Sequence, residues 1–145
     1  MTTVISSRVN RSYLFAPGHN AKLLHRVFTV GADAVILDLE DGVPEDAKVR
    51  ARAMVAAAIK EHAALVRVNP PRTDECAADL DVVAPHAAAI RIPKCESADD
   101  VLWVAARAGG LPLVPAIETA RGVLAAQDIA CVPGVAHLSI GGLDL

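Results

Sequence analysis

Apolar and polar positions follow two different periods along this chain, and segments of each kind alternate in a regular order. Short apolar runs begin near residues 11, 34, 65, 89, 113 and 137. Between them lie longer segments in which apolar residues recur every three or four positions, as on one face of a helix. The runs start 23, 31, 24, 24 and 24 residues apart. Repeating βα units of this length predict parallel strands joined by right-handed crossovers.

The same pattern predicts where each element begins and ends. Strands are expected at 11–15, within 34–43, and at 65–69, 88–93, 111–118 and 137–140. Helices are expected at 20–30, 44–62, 74–83, 98–108 and 119–130. Their boundaries are marked by capping and breaking residues, namely Asn20, Gly31, Pro44 and Ser97. Residues 1–10 are polar and are expected to form a loose N-terminal arm.

Two α/β architectures fit this order of elements, a doubly wound open sheet and a TIM (β/α)₈ barrel. An open sheet gathers its chemistry at one switch point, whereas a barrel takes it from many strand ends. Here nearly every predicted strand is followed by a polar side chain that can act on a ligand. These residues are Asp38, Glu40, Arg67, Asn69, Arg91, Lys94, Glu118 and Asp144. Their distribution favours the barrel.

The chain holds six of the eight units that a barrel needs. Eight units require at least about 200 residues, and this sequence has 145. We therefore predict one incomplete barrel domain over 1–145, with three alternatives. Either the natural protein is longer, or another chain completes the rim, or the sheet stays open. Unpaired edge strands and bare apolar faces favour association, so a homo-oligomer is expected.

Composition excludes several classes of protein. The net charge of −3 and the absence of a basic stretch argue against a nucleic-acid partner. No apolar run approaches the roughly 20 residues of a membrane span. The three cysteines have no CxxC spacing, which predicts reduced thiols in a cytoplasmic protein. Cys95 follows a strand end and is kept as a candidate for a thiol that lines the site.

The stretch AVILDLEDGV, residues 34–43, carries the first group of candidate site residues. Strand side chains alternate between faces, so Asp38 and Glu40 are expected on one face, opposite Leu37 and Leu39. Two carboxylates at the end of an apolar strand are costly to bury unless a cation meets them. Asp41 has a simpler interpretation as part of the cap before the helix that Pro44 opens.

Arginine provides the expected cation. Arg67 lies between valines in the third strand, and period-two alternation places it on the same face as Asn69. It either pairs with the carboxylates of the second strand or clamps an anionic substrate through its planar fork, and the two roles are compatible. Arg91 is expected to behave similarly, while Lys94 is expected in a solvated loop. Among the histidines, His19 alone is kept as a candidate.

Glu118 and Asp144 form a second constellation, because each follows an apolar strand and adjacent parallel strands bring such residues together. Two hard oxygen ligands suit Mg²⁺ or Mn²⁺, with waters and substrate completing the coordination. The alternative is a surface cap for Glu118 and an unremarkable chain-end acid for Asp144.

Six motifs carry a resemblance to a known family: RSYLFAPGHN, VILDLEDGV, VRVNP, IRIPK, VPAIET and GGLDL. These motifs occur in the same order in the HpcH/HpaI aldolase and citrate lyase family, which the chain resembles. It is most similar to the branch that holds the citrate lyase beta subunit and the malyl-CoA and citramalyl-CoA lyases. The likeness runs from Arg11 to Leu145.

The resemblance implies a TIM barrel with Mg²⁺ held by Glu118 and Asp144, and a substrate carboxylate or carbonyl contacted by Arg67. It also implies that Phe15, Asn20 and Arg26 lie near the nucleotide of coenzyme A. In relatives, a C-terminal segment that reaches a neighbouring subunit supplies a catalytic carboxylate.

The predicted function is metal-dependent cleavage of the carbon–carbon bond of a 3-hydroxyacyl-CoA of the citryl, malyl or citramalyl type. Acyl-CoA and a 2-oxo acid would be the products. Arg67, Asp38 and Glu40 are the predicted catalytic residues, and the two acids, together with Asp41, are expected to orient Arg67 and the metal-bound waters. The alternatives are a metal-dependent aldolase acting on a free 2-oxo acid and an inactive fragment that serves binding or assembly.

Overall fold

A computed structural model describes residues 10–142 of the chain, and they form a single parallel sheet flanked by helices. The order of the strands in the sheet is their order in the sequence. The strands are β1 (Tyr13–Pro17), β2 (Ala34–Asp38), β3 (Leu65–Arg67), β4 (Ala89–Ile92), β5 (Leu113–Ile117) and β6 (Ser139–Ile140). All neighbouring pairs are parallel, as the βα spacing predicts.

The sheet is curled into a half-barrel. Laid flat, six strands would place β1 and β6 about 24 Å apart, at about 4.8 Å for each of five steps. Instead, the hydroxyl of Tyr13 in β1 lies 3.5 Å from Nε2 of His137, just before β6. The strand order also never reverses, so the sheet has none of the switch points that a doubly wound fold requires. The barrel-type fold class is therefore confirmed.

Helices occupy the connections between the strands. They are α1 (Ala21–Val27), α2 (Lys48–Glu61), α3 (Asp74–Val83), α4 (Ala98–Ala105), α5 (Ala120–Leu124) and α6 (Ala126–Ala130). The expected caps are present. The side chain of Asn20 accepts a hydrogen bond from the amide of Leu23, and that of Ser97 accepts one from the amide of Asp100. None of the helices in residues 10–142 is long and apolar enough to cross a membrane.

Four helices differ from their predicted bounds, and one of them, α4, ends at Ala105 rather than near residue 108. The first helix ends at Val27 rather than near residue 30, and Gly31 adopts a positive φ of 85° in the connection that follows. A 3₁₀ turn lies between Pro44 and the start of α2. Turns of this kind are frequent at the N-termini of α-helices. The helix expected at 119–130 is two short helices that meet at Ala125, whose backbone leaves the helical region.

Side chains along each strand alternate between the two faces of the sheet. One face is apolar, and the other carries both apolar and polar residues. Leu37, Val66 and Ile90 face the helices and are fully buried against helix residues such as Val55 and Leu80. Burial of each large aliphatic side chain stabilises the fold by roughly 1.5–3 kcal/mol. The opposite face lines the inside of the half-barrel and carries polar residues at the carboxyl ends of the strands. Since all the strands are parallel, these ends share one rim.

Candidate functional site

The centre of the rim is an ion pair between neighbouring strands. Asp38 and Arg67 are register partners on β2 and β3. Nε and Nη2 of Arg67 donate to the two oxygens of Asp38, each at 2.7 Å. The Asp38 carboxylate, 3% exposed as a residue, also accepts from the amides of Glu40 and Gly42 at 2.9 and 2.8 Å. The structural ion pair predicted for Arg67 is therefore confirmed, and its role as a substrate clamp stays a prediction.

Gly42, the glycine of the LEDG sequence, lies against the carboxylate of Asp38. A Cβ at this residue would overlap Oδ2 of Asp38. The backbone can approach the carboxylate closely enough to donate its amide hydrogen only because there is no side chain. The turn after β2 is thus built around Asp38.

Glu40 is the second buried carboxylate at the rim, as the alternation with Asp38 predicts. One of its oxygens lies 3.1 Å from Nη1 of Arg67, and the other lies 2.7 Å from Nζ of Lys94. Burial raises the pKa of Glu40 above its ordinary value, against the opposing effect of these two cations. The pKa of Arg67 is also raised: burial acts to lower it, but the hydrogen bonds and charge of Asp38, together with the charges of Glu40 and Asp41, outweigh burial.

As expected, Lys94 lies in the loop after β4 and its side chain is 44% exposed, but that side chain also pairs with acids of the rim. Its ammonium contacts Glu40 and also Asp41, at 3.2 Å, and its hydrogen bond to Glu40 raises its pKa. Lys94 reaches these acids from a left-handed backbone with a φ of 49°. Non-glycine residues rarely adopt that conformation, so the local sequence carries no signal for it.

Arg91 lies beside Arg67 in the register of β3 and β4 and faces the same interior. Its Nη1 donates to the hydroxyl of Ser139 at 2.6 Å, while its Nη2 is 3.7 Å from Oε1 of Glu118. The ring of Phe15 covers both guanidinium groups, at 5.2 Å from Cζ of Arg67 and 5.5 Å from Cζ of Arg91. Burial lowers the pKa of Arg91.

Glu118 follows β5 and is 6% exposed. Its Oε2 accepts the amide hydrogen of Lys94 at 3.1 Å, and a Cβ at Gly141 would overlap its Cγ. The segment after β6 therefore passes directly against this carboxylate. Asp144, the predicted partner, lies outside the described residues.

The fit of this region to a divalent cation can be tested from the donors present. Within 10–142, no group of three or more histidine, cysteine or acidic residues is arranged to hold a metal. Mg²⁺, however, commonly binds through one or two carboxylates and keeps several waters. Among the described residues, Oε1 of Glu118 has only the long contact to Arg91, so it can act as such a ligand. The described part of the site therefore fits a magnesium ion held by few protein ligands.

Asn69 does not share the face of Arg67, contrary to prediction. Its side chain donates to the carbonyl of Leu39 and to Asp79, and it accepts from Nζ of Lys48 at 2.7 Å. The strand ends at Arg67, so period-two alternation no longer applies two residues later. Asn69 instead joins a buried network between the sheet and α2 and α3.

Lys48 is a buried residue that the sequence pattern did not indicate. Its ammonium donates to the carbonyls of Leu39 and Glu40 at 3.0 and 3.3 Å, so it holds the backbone that carries Glu40. A lysine early in a helix is ordinarily expected to face solvent. The buried role of Lys48 is therefore visible only in the tertiary structure.

Two further predicted residues lie on α1. The side chain of Asn20 caps that helix. Arg26 lies in its last turn, about 9 Å further along the axis at 1.5 Å per residue. Phe15, the third residue that the resemblance places near coenzyme A, lies over the guanidinium groups of Arg67 and Arg91, and its proximity to the coenzyme stays a prediction.

The thiol of Cys95 does not line the site. It is completely buried in the core between sheet and helices, and burial raises its pKa to about 12. His19, in the first loop, has an Nδ1 that is buried without a hydrogen-bond partner among the described residues.

Comparison with known proteins identifies relatives along nearly the whole chain. A model of the HpcH/HpaI aldolase/citrate lyase family matches residues 11–145. A protein named (3S)-malyl-CoA thioesterase from Cereibacter sphaeroides is 39% identical over 141 residues, which cover 93% of this chain and 50% of that protein. A citrate lyase subunit beta-like protein from Deinococcus radiodurans is 35% identical, over 92% of this chain and 52% of its own. The chain spans about half the length of the curated relatives it matches.

Solved structures that are similar to this chain include citrate lyase beta subunits. The citrate lyase beta subunit of M. tuberculosis complexed with oxaloacetate and magnesium has a TM-score of 0.79 at 32% identity, covering 92% of this chain and 58% of that one. CitE from Mycobacterium tuberculosis in complex with magnesium, acetoacetate and coenzyme A has a TM-score of 0.77 at 32% identity. That match covers 92% of this chain and 49% of the other.

Proposed function

Since the chain belongs to the HpcH/HpaI aldolase/citrate lyase family, we propose that its rim is part of the active site of a carbon–carbon lyase. The substrate class is a 3-hydroxyacyl-CoA of the citryl, malyl or citramalyl type, and the products are an acyl-CoA and a 2-oxo acid. One observation carries the proposal. The buried carboxylate of Glu118, whose Oε1 has no close partner among the described residues, lies beside the guanidinium of Arg91, and Phe15 covers the guanidinium groups of both Arg91 and Arg67, as a small oxo acid with a metal ion requires.

Glu118 and Asp144 would hold Mg²⁺, and Mn²⁺ would accept the same oxygen donors. Support comes from Oε1 of Glu118, which has no close partner among the described residues, and from the close approach of Gly141 to this carboxylate. When bound, such an ion polarises a carbonyl oxygen and stabilises the charge that forms on it.

Arg67 would stabilise negative charge on the oxygen atoms of the substrate. Its bidentate bond to Asp38 fixes the plane of the guanidinium, and its contact with Glu40 fixes its rotation. In this role Asp38 and Glu40 are positioning residues, which act through the arginine rather than on the substrate. A fixed donor needs no reorganisation as charge develops, which is the source of its catalytic value.

Phe15, Asn20 and Arg26 would lie along the path of coenzyme A. Phe15 is 42% exposed and presents an apolar face at the rim. Arg26 is exposed on α1, where it offers a cation to a phosphate group. We also propose that the protein forms a homo-oligomer, because β1 and β6 each have one neighbour in the described sheet and Ile140 is 66% exposed.

Hydrolysis of the thioester bond is the second candidate function. A relative that is 39% identical is named as a (3S)-malyl-CoA thioesterase. Both reactions begin with the same class of substrate, but they break different bonds. Lyase cleavage leaves the thioester intact and releases an oxo acid, whereas hydrolysis releases the free thiol of coenzyme A.

Incubation with malyl-CoA or citramalyl-CoA and Mg²⁺ distinguishes these reactions. We expect an active form of the protein that contains this chain to form a hydrazone-reactive oxo acid without free thiol. Release of thiol would establish the thioesterase instead. Cleavage of a free hydroxy-oxo acid alone would establish the aldolase alternative, and a folded protein with no turnover would indicate a binding or assembly role. Arg67→Lys keeps the charge but loses the planar fork, so it should depress turnover strongly with little change in melting temperature.

A further inference from the structure

Arg91 and Arg67 occupy equivalent positions on adjacent strands but use their guanidinium groups differently. In Arg67 the edge formed by Nε and Nη2 holds the Asp38 carboxylate through two bonds of 2.7 Å. This is the planar, bidentate geometry in which arginine binds a carboxylate most strongly. Nη1 of Arg67 is also paired, with Glu40. Each nitrogen of Arg67 therefore already contacts an acid of the chain, and one N–H on each of Nη1 and Nη2 remains for the substrate.

The same edge of Arg91 has no carboxylate. Among the described residues nothing accepts a hydrogen bond from its Nε, although that atom is buried. Within residues 10–142, Nη2 has only the oxygen of Glu118, at 3.7 Å, which is beyond hydrogen-bonding distance. The one short bond of Arg91 is made by Nη1, to Ser139. Buried donors in native proteins are nearly always paired, so this edge calls for a partner.

We propose that the Nε–Nη2 edge of Arg91 binds the carboxylate group of the small oxo acid handled at this rim, so that Arg91 recognises the acid while Arg67 remains bound to Asp38. This inference rests on the proposed function and assigns the carboxylate of its substrate to a named residue.

The surroundings of Arg91 suit this role. Phe15 covers the guanidinium from one side and excludes water, which strengthens a charged hydrogen bond. Oε1 of Glu118 lies 3.7 Å from Nη2 of Arg91, so a carboxylate on Arg91 would lie next to the proposed metal ligand. Binding would also neutralise a buried cation whose pKa is lowered by its burial.

The test compares pyruvate with methyl pyruvate, which differ in the charge of one carboxyl group. Titration calorimetry or NMR shift titration, with Mg²⁺ present, measures the dissociation constant of each for the wild type, Arg91→Met and Arg91→Lys. Arg107→Met is the control, because Arg107 stacks on Trp103 on the surface of the helix layer. We expect Arg91→Met to weaken pyruvate binding at least tenfold and to change methyl pyruvate binding by less than twofold. Arg91→Lys should fall between wild type and Arg91→Met.

Equal weakening of both ligands in the Arg91 variants would overturn the proposal and assign Arg91 a structural role. Unchanged pyruvate binding would also overturn it, and would fit an acid of the chain such as Asp144 occupying the edge. If Arg91→Met does not fold, the dissociation constants of pyruvate and methyl pyruvate for Arg91→Lys decide whether the proposal holds. A wild type that cleaves acyl-CoA while its Arg91 variants bind pyruvate normally would remove this inference and leave the proposed function standing. A wild type that binds neither pyruvate nor Mg²⁺ would remove both.

Discussion

Arg67 of β3 and Asp38 of β2 are register partners joined by two parallel hydrogen bonds of 2.7 Å, at the point where both strands end. The pair lies on the inner face of the half-barrel, with Asp38 almost fully buried and the side chain of Arg67 16% exposed. Its geometry fixes one guanidinium at the rim and makes the turn that follows β2 depend on a single carboxylate.

Asp38→Asn should therefore destabilise the fold. The substitution removes the charge that balances a largely buried guanidinium, and breaking such a pair costs about 3 kcal/mol. Urea denaturation gives the free energy of unfolding of both forms. Asp41→Asn is the matched control, since its side chain is 64% exposed and a surface pair contributes at most about 1 kcal/mol. Equal effects of the two substitutions would show that the Asp38–Arg67 pair contributes no more than a surface contact.

Gly42→Ala should be destabilising for a steric reason. The new methyl group would overlap Oδ2 of Asp38 and force the carboxylate or the turn to move, at a cost of about 1–3 kcal/mol. Gly142→Ala is the control, because no heavy atom lies within 4 Å of a Cβ at that position. Thermal unfolding of the two variants should separate them clearly. A melting temperature for Gly42→Ala that equals the control would mean that the turn adapts without strain.

Glu40 should make stability depend on pH. Burial raises its pKa above the ordinary value of 4.5, so the folded state holds this proton to a higher pH than the unfolded state does. Stability from this group is complete below pH 4.5 and is lost as pH rises through the folded-state pKa. Glu40→Gln mimics the protonated form, so its stability relative to wild type should increase from pH 4.5 to pH 7. Melting temperatures of both proteins over that range test this, and a constant difference would contradict it.

The three cysteines should differ in reactivity. Cys76 and Cys95 are buried, which raises the pKa of each thiol to about 12, whereas Cys131 is exposed. Since the thiolate is the reactive form, an aromatic disulfide reagent at pH 8 should modify one thiol rapidly in the native protein. All three should react in denaturant. Rapid modification of two thiols without denaturant would show that the core around Cys76 or Cys95 opens readily.

Glu118→Gln and Asp144→Asn should each weaken Mg²⁺ binding at least tenfold, or about 1.4 kcal/mol, if these two acids are the metal ligands. Each substitution keeps the size of the side chain and removes its charge. Calorimetric titration of metal-free protein measures the effect, and Asp41→Asn serves as a control at an exposed carboxylate of the same rim. Unchanged affinity in either variant would remove that residue from the metal site.

The order and spacing of the apolar runs predicted six parallel strands. The polar residues that follow nearly every strand then favoured the barrel order and the rim on which Asp38, Glu40, Arg67 and Glu118 lie. This information is local. Periodicity of two or of about 3.6 reports which face of an element is buried, and capping residues such as Asn20 and Ser97 report where helices begin. The motifs indicated the family. Six short stretches in a fixed order are more specific to a family than any one of them alone.

Which side chains meet at the rim was decided by the tertiary structure. Asn69 follows the end of β3, so alternation no longer determines its direction, and the buried groups Lys48 and Asp79 draw it to the helix layer. Lys94 reaches Glu40 from a left-handed backbone that no local pattern predicts. Long charged side chains have many rotamers, and the selected one depends on the charges that neighbouring strands supply. Those neighbours are distant in the sequence and become adjacent only when the sheet has formed and curled.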